Sequence, residues 1–304
     1  MISLIIPCLN EEKNIPIIYK QINNILKKQN YELIFIDDGS IDNSFLEISK
    51  IAKINKNVKC LSLTKNFGHQ NALKAGFDNA KGSVVITLDS DLQHPPELIP
   101  KLLKKWETTN VKIVHAVKLN YESSFVRNLF SKFGYFLINK LSSNFIEPGG
   151  SDFCLYDKEI VKSIKNFSGS NLMFRSYVKF LGYKKDIIYY KPNKRLYGES
   201  SYSLFQLIEI VRLSIVRFSI RPLRLIMIIG FLTLLFAIIF IFIELIRFII
   251  QDSWPSGLLT ILILQLFFGG FTLFSIGIIG EYLGFLIKEI SQNPNYVVSK
   301  KINI

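Results

Sequence analysis

Two carboxylates that follow one predicted strand are the residues of this chain best suited to do chemistry. Asp89 and Asp91 come directly after the apolar run 84–88, and Gln93 lies two positions further on. Oxygen atoms of carboxylates and amides are the ligands that Mg²⁺ and Mn²⁺ prefer. A divalent cation at this place could neutralise a diphosphate leaving group. We therefore predict a site for Mg²⁺ or Mn²⁺ formed by Asp89, Asp91 and Gln93.

Other polar groups follow predicted strands earlier in the chain. Asn10 and Glu11 come after the first strand, and Asp37 and Asp38 after the second. An ionised carboxylate only accepts hydrogen bonds, so it suits a ribose hydroxyl or a base N–H. The same aspartates could instead form a turn and cap a helix. His94 is open to two interpretations, as a further metal ligand or as a loop histidine that contacts water or substrate.

Alternating strands and helices over the first 120 residues must position these groups. The predicted strands are 2–6, 33–36, 58–63, 84–88 and 113–117, and the predicted helices are 12–28, 43–55, 70–80 and 96–106. Strands that are apolar almost throughout indicate a doubly wound, mostly parallel α/β sheet. Such sheets bind ligands beyond the carboxyl ends of their strands, which is where the polar groups fall.

Two long apolar runs in the last third of the chain predict a membrane anchor. Residues 225–243 and 258–280 carry no charge, and each exceeds the roughly 18 residues that indicate a spanning helix. Lys and Arg flank the pair but are absent from the link 251–257, so both ends are expected in the cytosol. The preceding segment 202–220 has the pattern of an amphipathic helix in the headgroup plane; a core helix of the soluble domain is the alternative.

Composition narrows the class of partner. The chain has 304 residues and a net charge of +13, which suits phosphate-bearing substrates or an anionic membrane surface, or reflects solubility alone. Nucleic acid is not an expected partner, because no nucleic-acid-binding signature occurs. Cys8, Cys60 and Cys154 are too widely spaced for a disulfide framework or a zinc motif. The chain begins with a strand rather than a signal peptide, so the first domain is expected in the cytosol.

Six motifs resemble those of family 2 glycosyltransferases with the GT-A fold. They are IPCLNEE (6–12), IDDGS (36–40), NFGHQNA (66–72), LDSDLQHPPE (88–97), GES (198–200) and GEYLG (280–284). The resemblance is to the polyprenyl-phosphate type, which includes dolichol-phosphate mannose synthase and bacterial undecaprenyl-phosphate glucosyltransferases. It implies inverting transfer of a sugar from a nucleotide sugar, with UDP-glucose or a related UDP-sugar as first choice, to polyprenyl phosphate. It also implies a homotetramer in the bacterial inner membrane.

The resemblance assigns roles to individual residues. The nucleotide-binding positions are Pro7, Asn10, Glu11, Asp37, Asp38, Asp89, Ser90 and Lys118. Arg127 and Arg195 would hold the two anionic substrates together beside Asp91. Asp157 matches the position proposed as catalytic base, with a helix N-cap as its other interpretation, and Asp152 is a rival for that role.

Two residues depart from the family pattern near the acceptor phosphate. Lys118 stands where many relatives have Arg, and Ser201 where many have Lys. Lys is a compact charge and Arg a planar fork, so the first exchange changes how an anion is held. The second removes a cation.

The expected organisation is a GT-A catalytic domain with an amphipathic interfacial helix and two transmembrane helices. The divisions are 1–200 for the cytosolic catalytic domain, 201–222 for the amphipathic helix, 223–287 for the two-helix transmembrane hairpin and 288–304 for a cytosolic tail. A processive polysaccharide synthase and a non-catalytic scaffold or lipid-flipping subunit are the other functions considered. The first has a Gln-x-x-Arg-Trp motif, whereas neither Trp106 nor Trp254 follows an Arg. The intact Asp89 and Asp91 argue against the second.

Overall fold

The computed structural model describes residues 1–119, 150–167, 174–193, 221–251, 257–290 and 294–304. The chain divides into two compact units. The first contains the N-terminal sheet together with residues 292–304, and the second contains two long helices.

The first unit alternates strands and helices. In chain order its elements are β1 (Ile2–Cys8), α1 (Ile15–Leu26), β2 (Tyr31–Asp37), α2 (Ser44–Ile54), β3 (Val58–Leu63), α3 (His69–Asn79), β4 (Val84–Thr87), a 3₁₀ turn (Pro96–Leu98), α4 (Ile99–Thr109), β5 (Ile113–Lys118), β6 (Gly150–Asp157), α5 (Lys158–Lys165), α6 (Phe174–Phe180), β7 (Lys185–Tyr190) and β8 (Val298–Ile302). The strands and helices predicted for the first 120 residues are therefore confirmed, with bounds that differ by a few residues.

The described strands form one mixed sheet. Their order is β7-β5-β6-β4-β1-β2-β3-β8. The central strands β4, β1, β2 and β3 run parallel to one another, as does β7 to β5. However, β6 runs antiparallel between β4 and β5, and β8 runs antiparallel to β3. The prediction of a mostly parallel α/β sheet is therefore confirmed in part: four of the seven described pairings are parallel. The three antiparallel pairings all involve β6 or β8, neither of which was predicted as a strand.

Helices cover both faces of the sheet. Leu4 and Ile6 of β1 point into a core cluster that includes residues of α1, α2 and α4. Ile5 points to the opposite face, where residues of α3 and α5 complete a second cluster. This alternation follows from the two-residue period of a strand. Because both faces are covered, β1 and β2 are buried along their whole length, and only the strand ends are left to contact a ligand.

The second unit contains α7 (Arg221–Gln251) and α8 (Leu258–Ile290). Each contains one of the two predicted apolar runs. Among the described residues, the stretch Phe267–Ile287 is long and apolar enough to cross a membrane. The prediction of two spans is not confirmed by this finding and stays a prediction. The predicted amphipathic helix 202–220 lies outside the described residues.

Candidate active site

The candidate site lies at the carboxyl edge of the sheet, where β4 ends and β6 begins. Thr87, the last residue of β4, pairs with Cys154 of β6. The hydroxyl of Thr87 donates to the main-chain carbonyl of Asp152, which fixes the two strands together at this point. Asp89 follows β4 and Asp152 lies near the start of β6, so the antiparallel pairing brings both carboxylates to one place.

His69 connects these two carboxylates. Its Nε2 atom lies 3.0 Å from Oδ2 of Asp152 and 3.6 Å from Oδ1 of Asp89. Since an ionised carboxylate only accepts, Nε2 of His69 is the donor to Asp152. The side-chain nitrogen of Gln70 lies 3.4 Å from the same Asp152 oxygen. Both residues open α3, so the start of this helix orients Asp152.

His94 holds Asp89 from the other side. Its Nε2 lies 2.8 Å from Oδ2 of Asp89, and its Nδ1 is hydrogen-bonded to the hydroxyl of Tyr190. The ring is only 1% exposed and packs near the rings of Phe153 and Tyr190. Both ring nitrogens are therefore used within the protein. His94 orients a carboxylate, and neither interpretation offered by the sequence describes it.

The two histidines keep Asp89 ionised. Burial by itself would raise the pKa of this carboxyl. The hydrogen bond from His94 and the attraction of His94 and His69 outweigh burial and lower the pKa of Asp89 to about 2. A carboxylate charged at every physiological pH suits the binding of a cation.

The loop after Asp89 brings together the other predicted ligands. Oδ1 of Asp91 accepts from the backbone N–H of Gln93 at 3.1 Å. Oε1 of Gln93 accepts from Nζ of Lys118 at 3.1 Å. Leu92 between them has a φ of 61°, a left-handed conformation that is uncommon for such a residue. Its side chain is buried in the core, which holds the turn in place.

The oxygen donors present here fit Mg²⁺ or Mn²⁺. Within the described part of the chain, no group of three or more His, Cys, Asp or Glu side chains is arranged to hold a metal ion. Asp89, Asp91 and Gln93 supply only carboxylate and amide oxygens. A set of this kind suits a hard cation that takes further ligands from water and from substrate phosphates.

Asp37 and Asp38 organise the loops on the neighbouring strands. Asp38 is 3% exposed and accepts from the backbone N–H groups of Phe67 and Gly68 at 2.8 and 3.0 Å. Burial raises its pKa, although these two bonds oppose the change. Asp37 accepts from the hydroxyl of Ser62 at 2.8 Å. Its Oδ1 accepts from the backbone N–H of Ser40 at 3.1 Å, which is a contact within the turn. Each carboxylate keeps lone pairs with which to accept from a ligand, and the nucleotide-binding role of both stays a prediction.

Four other predicted nucleotide positions lie in β1, in the loop that follows it, or in the loop after β4. Oδ1 of Asn10 accepts from the backbone of Ile41 at 2.9 Å, and the backbone N–H of Glu11 donates to the hydroxyl of Ser44 at 2.8 Å. Pro7 lies within β1. Ser90 is buried between the two aspartates of the loop after β4. The structure thus gathers these residues near the strand ends.

Asp157 does not lie at this site. It pairs with Val84, the first residue of β4, which is at the opposite edge of the sheet from Asp89. Its Oδ1 accepts from the backbone N–H of Glu159, and it is the N-cap of α5. Its Oδ2 accepts from the indole N–H of Trp106 at 3.0 Å. The helix-cap interpretation is therefore the correct one, and Asp152 is the carboxylate of β6 at the site.

Sequence reasoning missed some residues of the site, and some of its candidate residues lie outside the part of the chain that the structure describes. It assigned no role to His69, Gln70 or Tyr190, although the first two belong to the NFGHQNA motif. That motif was the available signal. Arg127, Arg195 and Ser201 lie outside the described residues.

Comparison with known proteins identifies the class. The chain belongs to glycosyl transferase family 2, whose family model matches residues 3–165. It is 33% identical to the prophage bactoprenol glucosyl transferase homolog of Escherichia coli, over 98% of each chain. It is also 33% identical to the bactoprenol glucosyl transferase of Shigella phage SfII, over 98% of this chain and 97% of that protein. The uncharacterized glycosyltransferase YkcC of Bacillus subtilis is 32% identical over 99% of this chain and 94% of its own length.

Solved structures agree on the fold. The glucosyl-3-phosphoglycerate synthase of Mycobacterium tuberculosis, crystallised with Mn²⁺, UDP-glucose and phosphoglyceric acid, superposes with a TM-score of 0.50. The match covers 71% of this chain and 77% of that one, at 18% identity. At this identity the likeness shows a GT-A-like fold and nothing further.

Proposed function

We propose that the protein transfers a sugar from a nucleotide diphosphate sugar, UDP-glucose or a related UDP-sugar, to undecaprenyl or another polyprenyl phosphate. The observation that carries the proposal is the extent of the similarity to bactoprenol glucosyl transferases. It covers 98% of the chain and so includes the apolar helices as well as the catalytic sheet. An enzyme with a soluble acceptor needs no such helices.

In this proposal the donor lies along the carboxyl edge of the sheet. The nucleoside contacts the loops that carry Asn10, Glu11, Asp37 and Asp38. Asp89 and Asp91, supported by Gln93, would hold Mg²⁺ or Mn²⁺, which supplies positive charge to the leaving diphosphate. Since Gln93 also accepts from Lys118, the same loop orients a cationic side chain towards the phosphates.

The reaction needs little help from a base. An oxygen of the acceptor phosphate forms a bond to the anomeric carbon while the bond from that carbon to the diphosphate breaks. The electron pair leaves with UDP, and the configuration inverts. A phosphate monoester is already an anion near pH 7. Asp152, oriented by His69, is in this proposal the carboxylate that orients the nucleophile or accepts its remaining proton, the role that the family resemblance implied for Asp157 with Asp152 as its rival.

The membrane arrangement is proposed as a hairpin of two spans, with α7 and α8 as the spanning helices and both ends in the cytosol. β8 follows α8 in the chain, yet it lies in the same sheet as β1. A chain that crosses a membrane between these two strands must therefore cross it an even number of times. This supports two spans over one. Arg221 and Arg224 at the start of α7 agree with the positive-inside rule.

We retain the predicted domain divisions and the predicted homotetramer as proposals, with one change to the last division. Residues 288–304 were expected as a tail, whereas 298–302 belong to the catalytic sheet. Arg127 and Arg195 are retained as the candidate clamp on the two anionic substrates. The amphipathic helix 202–220 is retained as the element that sets the site at headgroup height.

The direct test uses the full-length protein in nanodiscs that contain undecaprenyl phosphate. A panel of radiolabelled nucleotide sugars is supplied with Mg²⁺ or Mn²⁺, and lipid-linked sugar and released nucleotide are both quantified. We expect one sugar per lipid and an equal amount of nucleoside diphosphate. Long polymer would favour a processive synthase. No transfer from any donor would contradict the proposed function.

A further inference from the structure

The C-terminal segment 296–304 packs along the outer edge of the catalytic sheet. Lys301 lies opposite Leu61 and Ile302 opposite Cys60 in the antiparallel pairing of β8 with β3. The backbone N–H of Thr64, the residue after β3, donates to the carbonyl of Val297 at 3.0 Å. The segment therefore supports β3 up to the start of the loop 64–68, which joins β3 to α3.

Side chains fix this segment to both elements that flank the loop. The hydroxyl of Tyr296 donates to Oδ2 of Asp78 on α3 at 3.0 Å. The side-chain amide of Asn303 donates to the carbonyls of Ala52 and Val58, at 2.7 and 2.8 Å. The C-terminal segment thus holds α3 at one end and the start of β3 at the other.

The loop 64–68 in turn completes the donor side of the site. The backbone N–H groups of Phe67 and Gly68 donate to the buried carboxylate of Asp38. Gly39 has a φ of 71°, and a Cβ placed on it would lie 2.4 Å from the carbonyl carbon of Lys65. No side chain fits between the two loops. Any movement of 64–68 therefore changes the surroundings of Asp38 directly.

We propose that the segment 296–304 is a positioning element of the donor site. It holds the loop 64–68 against Asp38 and Gly39, and its effect on the donor acts through that loop. The identity of the donor rests on the proposed function, whereas the positioning of the loop does not. Since α8 ends at Ile290 and β8 begins at Val298, a short stretch of chain connects the apolar helix to this support.

Hydrogen exchange on the full-length protein in nanodiscs tests the positioning. Tyr296→Phe removes one hydroxyl, and Asn303→Gly removes the amide at a residue whose φ of 59° glycine adopts readily. Ser299→Ala, at an exposed position of β8, is the matched control. We expect the amides of 64–68 to exchange up to about five-fold faster for each hydrogen bond lost. The control should exchange as the wild type does.

Steady-state kinetics with the identified nucleotide sugar tests the consequence. In each variant the donor KM should rise by the factor by which that variant speeds exchange at 64–68, while kcat at saturating donor and the KM for lipid phosphate stay unchanged. Faster exchange at 296–304 with no change at 64–68 would overturn the positioning. Faster exchange at 64–68 with an unchanged donor KM would overturn its effect on the donor. A wild type that transfers no sugar would contradict the proposed function, and the exchange result would still decide the positioning.

Discussion

Buried or half-buried carboxylates lie at both edges of the same sheet, and their partners differ. At the edge where β1 begins, Glu32 accepts from Nζ of Lys59, from the hydroxyl of Ser3 and from a backbone N–H. Its charge is matched by a lysine within the protein. At the other edge, Asp89 and Asp152 lie together around His69.

The kind of partner that a carboxylate has distinguishes structural from functional acidic residues better than its degree of burial does. Bringing carboxylates together is unfavourable unless positive charge is supplied. For Asp89 the hydrogen bond from His94 and the attraction of His94 and His69 offset that cost. Titratable groups that interact in this way mark places where chemistry is expected. β6 contributes a carboxylate to each edge. Asp152 near its start lies close to Asp89 and His69, whereas Asp157 at its end caps α5 at the opposite edge.

The largest effect is expected from Asp91→Asn. The substitution removes a charge from the predicted cation site but no core contact, so the protein should stay folded. Turnover should fall at least about 10³-fold. Turnover is measured with purified full-length protein, nucleotide sugar and undecaprenyl phosphate, and melting temperature serves as the control for folding. EDTA should inactivate the wild type, with Mg²⁺ or Mn²⁺ restoring it; normal turnover of the variant would remove Asp91 from the site.

Asp152→Asn should have the next largest effect. It keeps the size of the side chain and removes the charge that His69 orients. Because the acceptor phosphate is largely ionised, we expect kcat to fall by about 10²–10³-fold with little change in melting temperature. Turnover close to that of the wild type would show that this carboxylate plays no part in transfer.

Glu32→Gln tests the structural role of the sheet edge where β1 begins, and the quantity measured is the stability of the protein. The variant leaves the ammonium group of Lys59, which is 9% exposed, without its carboxylate. We expect a loss of about 3 kcal/mol in the free energy of unfolding. The fraction that remains folded should transfer sugar at the normal rate. A loss of activity in folded protein would contradict the structural role of this edge.

The same pair predicts a pH dependence of stability. Burial would raise the pKa of Glu32, but the bonds from Lys59, Ser3 and the backbone lower it below the ordinary value of 4.5. Its stabilising effect is therefore complete above about pH 4.5 and is lost as the pH falls through the lower, folded-state pKa. Unfolding measured over this acidic range should show a steeper loss for the wild type than for Glu32→Gln.

Asp157→Ala should have the smallest effect. It removes the cap of α5 and the acceptor of the Trp106 N–H, so we expect a loss of about 1 kcal/mol in stability. The turnover number should be unchanged. Read beside Asp152→Asn, this variant compares two carboxylates of one strand, and a large fall in kcat for Asp157→Ala would reverse the assignment.

The sequence predicted the parts of the fold that depend on local patterns. Apolar runs with regular spacing predicted β1 to β5 and the helices between them, and the rule for strand ends predicted where Asp37 and Asp89 lie. The position of Asp157 could not be obtained in this way. It depends on β6 running antiparallel to β4, which no local pattern specifies, and reversing the strand exchanges Asp152 and Asp157 between the two edges.

Contacts between residues that are far apart in the sequence also could not be predicted. His69 and His94 have no metal-binding spacing along the chain, and only the fold shows that both contact Asp89. β8 was missed because its sequence, VSKKI, is short and carries two lysines. Its strand conformation depends on pairing with β3 rather than on its own residues.

The place of β8 in the sheet also sets the order in which the protein can be completed. Asn303 and Val58 make contact across 245 positions of sequence, and α7 and α8 are both synthesised in between. On the ribosome, β3 has emerged long before its outer neighbour exists. The edge of β3 therefore stays unpaired until both apolar helices have been made. Under the proposed two-span arrangement, a molecule in which only one of the two helices inserts would have β8 on the wrong side of the bilayer, and its sheet would remain unfinished.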